Sequence, residues 1–313
     1  MRFLVTGAAG FIGKALCRGL CERGHSVLGI VATPQPRSRE IEWCALGRIS
    51  PQTLWPPHLE GIDCVIHLAA RAHRRAGAAI GDEPETAAVL YRAAAKAGVK
   101  RFIGMSSVRA MGDETPPDLP FRAGDAPSPA EGYGRTKLMS ERALEKAARE
   151  SGSELFILRP PLVYGPGAKG NFRALLRLLA KGLPLPFAGI ENRRSLVYLE
   201  NLVDLTIAAA TLPKAAGGVF LVCDGEDFST PELVRILAEG LGRPARLFPS
   251  PPFAFALGRR CPFIGPRLKP LISSLTVDDE ATRAFFGWRP PVAAREGLLA
   301  TARAFAQKGV SPS

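Results

Sequence analysis

The chain has 313 residues, of which 46% are apolar and 22% are charged, and its formal net charge at pH 7 is +12. This composition is ordinary for a globular protein, and no apolar run reaches the roughly 18–20 residues that a membrane-spanning helix needs. No signal-peptide pattern opens the sequence, so we expect a cytoplasmic protein without a membrane span. Lysines and arginines look scattered along the chain, which argues against nucleic acid as a partner and favours an anionic small substrate. The four histidines show no metal-site spacing, and we expect no bound metal.

A glycine-rich stretch at residues 6–13 follows an apolar run of strand type and precedes apolar residues at helical spacing. Gly7 would permit a tight turn, Gly10 a close approach to a pyrophosphate, and Gly13 close packing of helix on strand. The free N–H groups of the helix start would then face the phosphates. A glycine-rich turn without a ligand is the alternative, but the position between strand and helix favours a dinucleotide site. Phe11 and Ile12, which open the helix, are included among the expected cofactor contacts.

Strands and helices alternate through the first half of the chain. Further strands are predicted at residues 26–31, 64–68, 101–106 and 155–158, and helices at 89–97 and 133–151. This alternation predicts an α/β fold with a Rossmann-type, doubly wound parallel sheet. The rhythm changes after Pro160–Pro161. We therefore divide the chain into a dinucleotide-binding domain at 1–160 and a smaller C-terminal substrate-binding lobe at 161–313, partly woven back into the first domain.

A tyrosine and a lysine, Tyr133 and Lys137, stand four residues apart at the start of a predicted helix and so share one face. A nearby ammonium would lower the pKa of the phenol toward neutrality, so that Tyr133 could pass a proton to or from a hydroxyl or ketone. Ser107 follows a parallel strand and could hydrogen-bond the same oxygen. For the Tyr-x-x-x-Lys spacing alone, a solvated helix face is the alternative; the serine pair at 106–107 adds weight to the catalytic interpretation.

Together with residues 67–70 and 158–167, these motifs resemble the extended short-chain dehydrogenases/reductases of the sugar-nucleotide epimerase, dehydratase and reductase group, over nearly the full length. The resemblance implies an NAD(P) cofactor and a nucleotide-sugar substrate. It also implies that Ser107 polarises the reacting oxygen, that Tyr133 is the acid/base, and that Lys137 also holds the nicotinamide ribose. Further contacts are implied for the cofactor at Leu68, Ala69 and Ala70, and for the substrate at Ser107, Asn171, Arg194 and Arg267.

The sequence departs from the family pattern near the expected adenosine site. Val31 ends strand two, where the family usually has an acidic residue, and Arg37 and Arg39 follow. Because arginines suit a 2′-phosphate, we predict NADP as the cofactor, with NAD as the alternative; two solvated loop arginines would explain the same pattern. Arg48 replaces a usual Asp, which puts an adenine contact in doubt.

Two further departures concern the chemistry. Glu83 opens the stretch that replaces the usual Asn-Val-x-Gly-Thr, which loosens the support of the central strands. Val108 and Arg109 stand where dehydratases carry an Asp-Glu pair, so a 4,6-dehydratase is disfavoured.

The motifs most resemble bacterial 4-ketoreductases that act on UDP-linked 4-keto-6-deoxy-N-acetylhexosamines in surface-polysaccharide (O-antigen) synthesis. We therefore predict reduction of a C4 ketone, with UDP-hexose 4-epimerase as the alternative. Because Val31 and Arg48 replace acidic residues that usually bind the adenosine half, we expect weaker cofactor binding. This suits an enzyme that exchanges its cofactor in each cycle. A catalytically idle dinucleotide-binding sensor is a third hypothesis, disfavoured by the intact Ser107, Tyr133 and Lys137. We consider a homodimer as one possible assembly.

Overall fold

The computed structural model describes residues 1–70, 81–116, 118–213, 216–251, 255 and 265–310, without the side chains of residues 266, 267 and 308–310. Its strands are β1 (Arg2–Thr6), β2 (Ser26–Val31), β3 (Ile41–Ala45), β4 (Cys64–His67), β5 (Arg101–Met105), β6 (Glu154–Arg159), β7 (Leu162–Tyr164), β8 (Arg194–Tyr198), β9 (Gly218–Leu221) and β10 (Asp227–Phe228). Its α-helices are α1 (Phe11–Glu22), α2 (Pro56–Leu59), α3 (Glu83–Lys96), α4 (Gly132–Ser151), α5 (Gly170–Ala180), α6 (Leu199–Thr211), α7 (Thr230–Gly240), α8 (Gly265–Ile272), α9 (Glu280–Phe286) and α10 (Ala294–Val310).

Seven parallel strands form the large sheet in the order β3-β2-β1-β4-β5-β6-β9. The chain builds outward from β1 to β3 and then returns to the other side of β1 with β4. The strand order therefore reverses between β1 and β4, and ligands bind at the carboxyl ends of strands at such a switch point. The predicted fold class, a Rossmann-type doubly wound parallel sheet, is confirmed.

Helices pack on both faces of this sheet and form an apolar core on each, so the inner strands are buried on both sides. One core holds Leu16 of α1 and Leu202 of α6, and the other holds Leu90 of α3 and Leu144 of α4. Strand β9, which extends the large sheet, and helix α6, which packs on one face of it, come from the second half of the chain.

A smaller lobe is built around a three-stranded sheet in the order β10-β8-β7. Its core packs Phe172 of α5, Val234 of α7 and Leu298 of α10 around Tyr164 and Tyr198. No helix in the described ranges is both long and apolar enough to cross a membrane.

Two of the differences from the prediction concern the half of the chain that forms most of the large sheet. Helix α3 begins at Glu83 instead of residue 89, since Pro84 fits a first turn and Glu83 and Glu85 favour the positive end of the helix dipole. Strand β3 was not predicted. It is a sheet edge whose residues are only partly buried or exposed, so its sequence lacks the apolar run of the inner strands.

Candidate active site

The glycine turn between β1 and α1 has the predicted strand-to-helix geometry. Gly7 has φ +68°, and a Cβ on it would lie 3.0 Å from the Ala69 nitrogen. A Cβ on Gly13 would lie 2.3 Å from the Gly7 oxygen, so only glycine allows α1 to pack this close to the turn. Gly10 is the N-cap of α1, and no side chain of the described residues caps it. The first N–H groups of α1, which belong to Phe11 and Ile12, are thus available to phosphate oxygens.

The loop after β4 is held against this turn by a buried hydrogen-bond chain. Thr6 Oγ1 lies 2.8 Å from His67 Nδ1, and the Ala69 N–H donates to Thr6 Oγ1 at 3.2 Å. Burial, with a smaller effect of Lys137, lowers the pKa of His67 to about 3, so the imidazole is neutral at pH 7. These hydrogen bonds place Leu68, Ala69 and Ala70 beside Gly7. Sequence analysis missed the role of Thr6 and His67, although both stand at the ends of adjacent parallel strands.

A cleft of about 290 Å³ opens at the carboxyl end of β2, with Gly7, Val31 and Ala69 in its wall. On its far side Arg48 forms an ion pair with Asp82, with 2.8 Å between Nη2 and Oδ1. Asp82 precedes α3, so this pair closes the cleft from the side of the helix. The volume and position of this cleft suit the adenosine half of a dinucleotide, and the glycine turn at one end of the cleft suits its pyrophosphate.

The two arginines predicted to read a 2′-phosphate lie on the exposed loop between β2 and β3. The structure does not bring Arg39 to the cleft. Because β3 runs parallel to β2 and pairs Ile41 with Val27, the loop returns to the start of β2, and Arg39 lies there beside His25 and Ser26. The structure thus separates Arg39 from Val31, and recognition of a 2′-phosphate by this loop stays a prediction.

Ser107, Tyr133 and Lys137 come together at the carboxyl end of β5. Ser107 caps a short 3₁₀ turn at Val108–Ala110, and its Oγ accepts the Arg109 N–H at 3.2 Å. Tyr133, in the first turn of α4, lies close enough to the Ser107 hydroxyl for this group to lower its pKa. Lys137 is buried one turn further, and its Nζ donates to the Met105 carbonyl at 2.8 Å.

The close contact between α4 and the turn after β5 depends on Gly134. A Cβ there would lie 2.2 Å from the Arg109 carbonyl oxygen, so a larger residue would push α4 away from the 3₁₀ turn. This glycine directly follows Tyr133. It therefore keeps the phenol next to Ser107, a role that sequence analysis did not assign.

The expected electrostatic effect of Lys137 on Tyr133 is not what the structure shows. The pKa of Tyr133 is raised above its ordinary value, chiefly by burial and less by Glu83, while Ser107 and Arg109 oppose the shift. Burial also lowers the pKa of Lys137 to about 8, against the effects of Glu83 and Glu141. The predicted lowering of the Tyr133 pKa by Lys137 is therefore wrong for the protein alone: burial raises this pKa, and the Lys137 ammonium donates to the Met105 carbonyl.

A buried ion pair stabilises the carboxyl end of β5, where Ser107, Tyr133 and Lys137 lie. Glu141 of α4 accepts two hydrogen bonds from Arg159 of β6, at 2.9 and 2.5 Å, and a third from the Ser106 hydroxyl. Both partners of the pair are almost fully buried. Glu141 continues the four-residue spacing of Tyr133 and Lys137, a signal present in the sequence and not used. The pair ties α4 and β6 to the residue before Ser107.

On the side of the small lobe, Arg194 of β8 is buried and donates to the Ser273 carbonyl at 3.0 Å. Burial, and then the nearby positive charge of Arg109, lowers its pKa to about 10. Arg194 thus lies near Arg109, whose backbone N–H donates to the Ser107 hydroxyl. Asn171 is exposed in the first turn of α5. Arg267 lies on α8, but its side chain is outside the described part of the structure.

The neighbouring Asn192 was not singled out from the sequence. It accepts the Thr230 N–H at 2.9 Å and donates to the Ser273 carbonyl at 3.1 Å, so it joins α7 to the segment after α8. Among the described residues, no group of three or more His, Cys, Asp or Glu side chains could hold a metal ion.

Comparison with known proteins agrees with this geometry. The profile of the NAD dependent epimerase/dehydratase family matches residues 3–223. A UDP-glucose 4-epimerase of Vibrio cholerae is 37% identical over 317 residues, covering 97% of this chain and 95% of that protein.

Two solved structures from Bacillus cereus share the fold. A UDP-glucuronic acid 4-epimerase in complex with NAD has a TM-score of 0.80 at 22% identity, covering 99% of this chain and 97% of that one. A UDP-N-acetylglucosamine 4-epimerase has a TM-score of 0.81 at 19% identity, covering 98% and 99%. The match to the family profile agrees with the glycine turn and with the grouping of Ser107, Tyr133 and Lys137. This chain therefore belongs to the NAD dependent epimerase/dehydratase family.

Proposed function

We propose that this protein is a UDP-sugar 4-epimerase that inverts the hydroxyl at C4 of a UDP-linked hexose. The observation that carries the proposal is the near-complete coverage of the Vibrio cholerae UDP-glucose 4-epimerase at 37% identity. The convergence of Ser107, Tyr133 and Lys137 at one strand end supports it. Sequence analysis ranked net reduction of a 4-keto sugar above epimerisation; the comparisons favour the reverse order.

NAD is the cofactor that we propose, held by the glycine turn at its pyrophosphate and by the cleft beside Val31 at its adenosine. The absence of a Cβ at Gly7 lets the loop after β4 approach the turn closely, and its absence at Gly13 lets α1 pack against the turn. When bound, NAD would supply the hydride acceptor and donor. The prediction of NADP rested on Val31 in place of an acidic residue and on Arg37 and Arg39, and the position of Arg39 near the start of β2 weakens it.

The residues of this chain would act on the proton and on the position of the sugar. Tyr133 would take the proton from the C4 hydroxyl and return it after the sugar has turned, while Ser107 would hold the same oxygen. Lys137 would help to hold the nicotinamide ribose. Arg194 and Asn171 would contact the nucleotide part of the substrate from the small lobe.

The test compares the two reactions with one enzyme preparation. The purified protein is incubated with UDP-glucose, UDP-N-acetylglucosamine or UDP-glucuronic acid, and the C4 configuration is followed by NMR. It is separately mixed with a UDP-4-keto-6-deoxy-N-acetylhexosamine and NADPH or NADH, and the absorbance of the reduced cofactor is recorded.

We expect interconversion of C4 epimers without net cofactor consumption. Stoichiometric oxidation of NADPH with a 4-hydroxy product, and no epimerisation, would replace the proposal with the ketoreductase. Tight cofactor binding without turnover of any nucleotide sugar would instead support the idle sensor.

A further inference from the structure

The positive charge of this chain is concentrated in two segments that lack any acidic residue. Residues 155–190 contain five lysines and arginines and residues 240–277 contain six, yet neither segment contains an Asp or a Glu. Along the sequence these segments are about fifty residues apart, so the charges look scattered. In the fold they meet, since Leu185 and Leu247 form a β-bridge. This bridge brings exposed cations of both segments together on one side of the small lobe.

Helix α5 supplies the larger part of this surface. Its buried side, with Phe172, Leu176 and Leu179, packs into the core of the small lobe. Arg173 and Arg177 follow one another at a spacing of four residues on the opposite side, and Lys181 continues the row after the helix end. All three are exposed. Residues at this spacing lie on one helical face, so the three cations form a stripe directed away from the core.

The second segment extends the stripe at the end of α5. Arg246 donates from Nη1 to the Gly182 carbonyl at 3.5 Å, and Arg243 reaches within 4 Å of the place where a Cβ on Gly182 would lie. Both arginines are exposed. In the part of the chain that the structure describes, none of these five cations forms an ion pair. Among the residues that the structure describes, no carboxylate therefore neutralises these five charges.

Three large apolar side chains are exposed around the same cations. Leu178 of α5 is 39% exposed, Leu183 in the following loop 45%, and Phe248 beside Arg246 45%. We call this surface the basic face; its members are Arg173, Arg177, Leu178, Lys181, Leu183, Arg243, Arg246 and Phe248. Cations with interspersed exposed apolar side chains are the pattern of proteins that rest on a lipid surface.

We propose that the basic face docks this protein onto an anionic phospholipid bilayer. The cations would attract the anionic headgroups, at about 1 kcal/mol for each charge near the surface, and the two leucines and Phe248 would insert at the headgroup level. A nucleic acid would use the same cations but has no need of exposed leucines. If the cations served only to attract an anionic substrate, they would act at the substrate-binding site. They would then need no exposed apolar side chains beside them. This docking is peripheral and needs no membrane-spanning helix.

The test measures co-sedimentation of the full chain with vesicles of phosphatidylcholine alone and of phosphatidylcholine with phosphatidylglycerol at 3:1. We expect binding only to the second. Arg177→Gln/Lys181→Gln should weaken it about 30-fold, the ratio that corresponds to two charges. Lys96→Gln/Lys100→Gln removes the same net charge from exposed positions at the end of α3 and just before β5, and should change binding less than about threefold. Leu178→Ser/Phe248→Ser keeps all cations and should weaken binding at least about tenfold.

Several outcomes would overturn the proposal. Equal binding to both vesicle types, or to neither, would exclude recognition of an anionic bilayer. An equal loss in the Lys96/Lys100 control would show that only the net charge acts. Unchanged binding of Leu178→Ser/Phe248→Ser, together with equally tight binding of single-stranded DNA, would identify a general polyanion surface. Melting temperatures of the variants, measured by circular dichroism, verify that each remains folded.

Discussion

Charged side chains have different environments in two regions: the catalytic edge, which is the carboxyl end of β5 with Ser107, Tyr133 and Lys137, and the basic face of the small lobe. At the catalytic edge, Arg159 and Glu141 are almost fully buried and paired, and Lys137 is buried with its ammonium bound to a carbonyl. On the basic face, Arg177 and Lys181 are exposed and have no ionic partner in the described structure. Buried charges must be paired or must shift their pKa, whereas exposed charges need neither. The first region is therefore built for positioning, and the second for contact with something outside the protein.

The largest expected effect comes from removing the acid/base hydroxyl. Tyr133→Phe should keep the fold but lower turnover about 10²–10⁴-fold, because a positioned acid/base contributes that much to the rate. Initial rates with UDP-glucose and the melting temperature measure the two properties. Tyr91→Phe is the matched control, since Tyr91 donates to the Ser153 carbonyl at 2.6 Å far from the site and should affect only stability. Turnover of Tyr133→Phe within a few-fold of wild type would assign the proton transfer to another group.

Breaking the buried pair should cost much stability. Glu141→Gln leaves the Arg159 guanidinium buried without a counter-charge, and we expect the free energy of unfolding to fall by about 3–5 kcal/mol. Urea unfolding measures it. Glu239→Gln breaks the exposed pair with Arg295 and should cost at most about 1 kcal/mol. Similar losses in both variants would contradict the contrast between buried and exposed charges.

The buried His67 should make the protein sensitive to acid. Its pKa is lowered from 6.5 to about 3, so below pH 6.5 the unfolded chain binds a proton that the folded chain does not. Stability is thus present above pH 6.5 and is lost as the pH falls, by up to about 3 kcal/mol between pH 6.5 and pH 4. In His67→Gln this part of the pH dependence should disappear. Unfolding curves of both proteins at several pH values measure the difference; parallel pH profiles would contradict it.

The smallest effect is expected at the loop between β2 and β3. Because Arg39 lies at the start of β2, Arg39→Ala should change the ratio of the dissociation constants for NAD and NADP by less than about twofold. A charge-assisted hydrogen bond to phosphate would instead contribute about 1.5–3 kcal/mol. Titration of both cofactors by calorimetry measures the ratio, with Arg37→Ala as the second loop variant. A selective loss of NADP affinity in Arg39→Ala would show that the loop folds over the cleft when the cofactor binds.

The sequence by itself determined the elements whose geometry is local. The glycine turn could be predicted from residues 6–13, because the sterics of Gly7 and Gly13 act within one turn of the chain. The shared face of Tyr133 and Lys137 follows from helical spacing alone, and the parallel sheet from the alternation of strands and helices.

Only the tertiary structure decided the properties that depend on packing between distant segments. The pKa of Tyr133 is set by burial under neighbouring elements, and the distance of Arg39 from the cleft by the register of β3 on β2. The pairing of Glu141 with Arg159 and the meeting of two acid-free segments at the basic face likewise join remote parts of the chain. Desolvation and charge interactions depend on distances in space, and a linear pattern does not contain those distances.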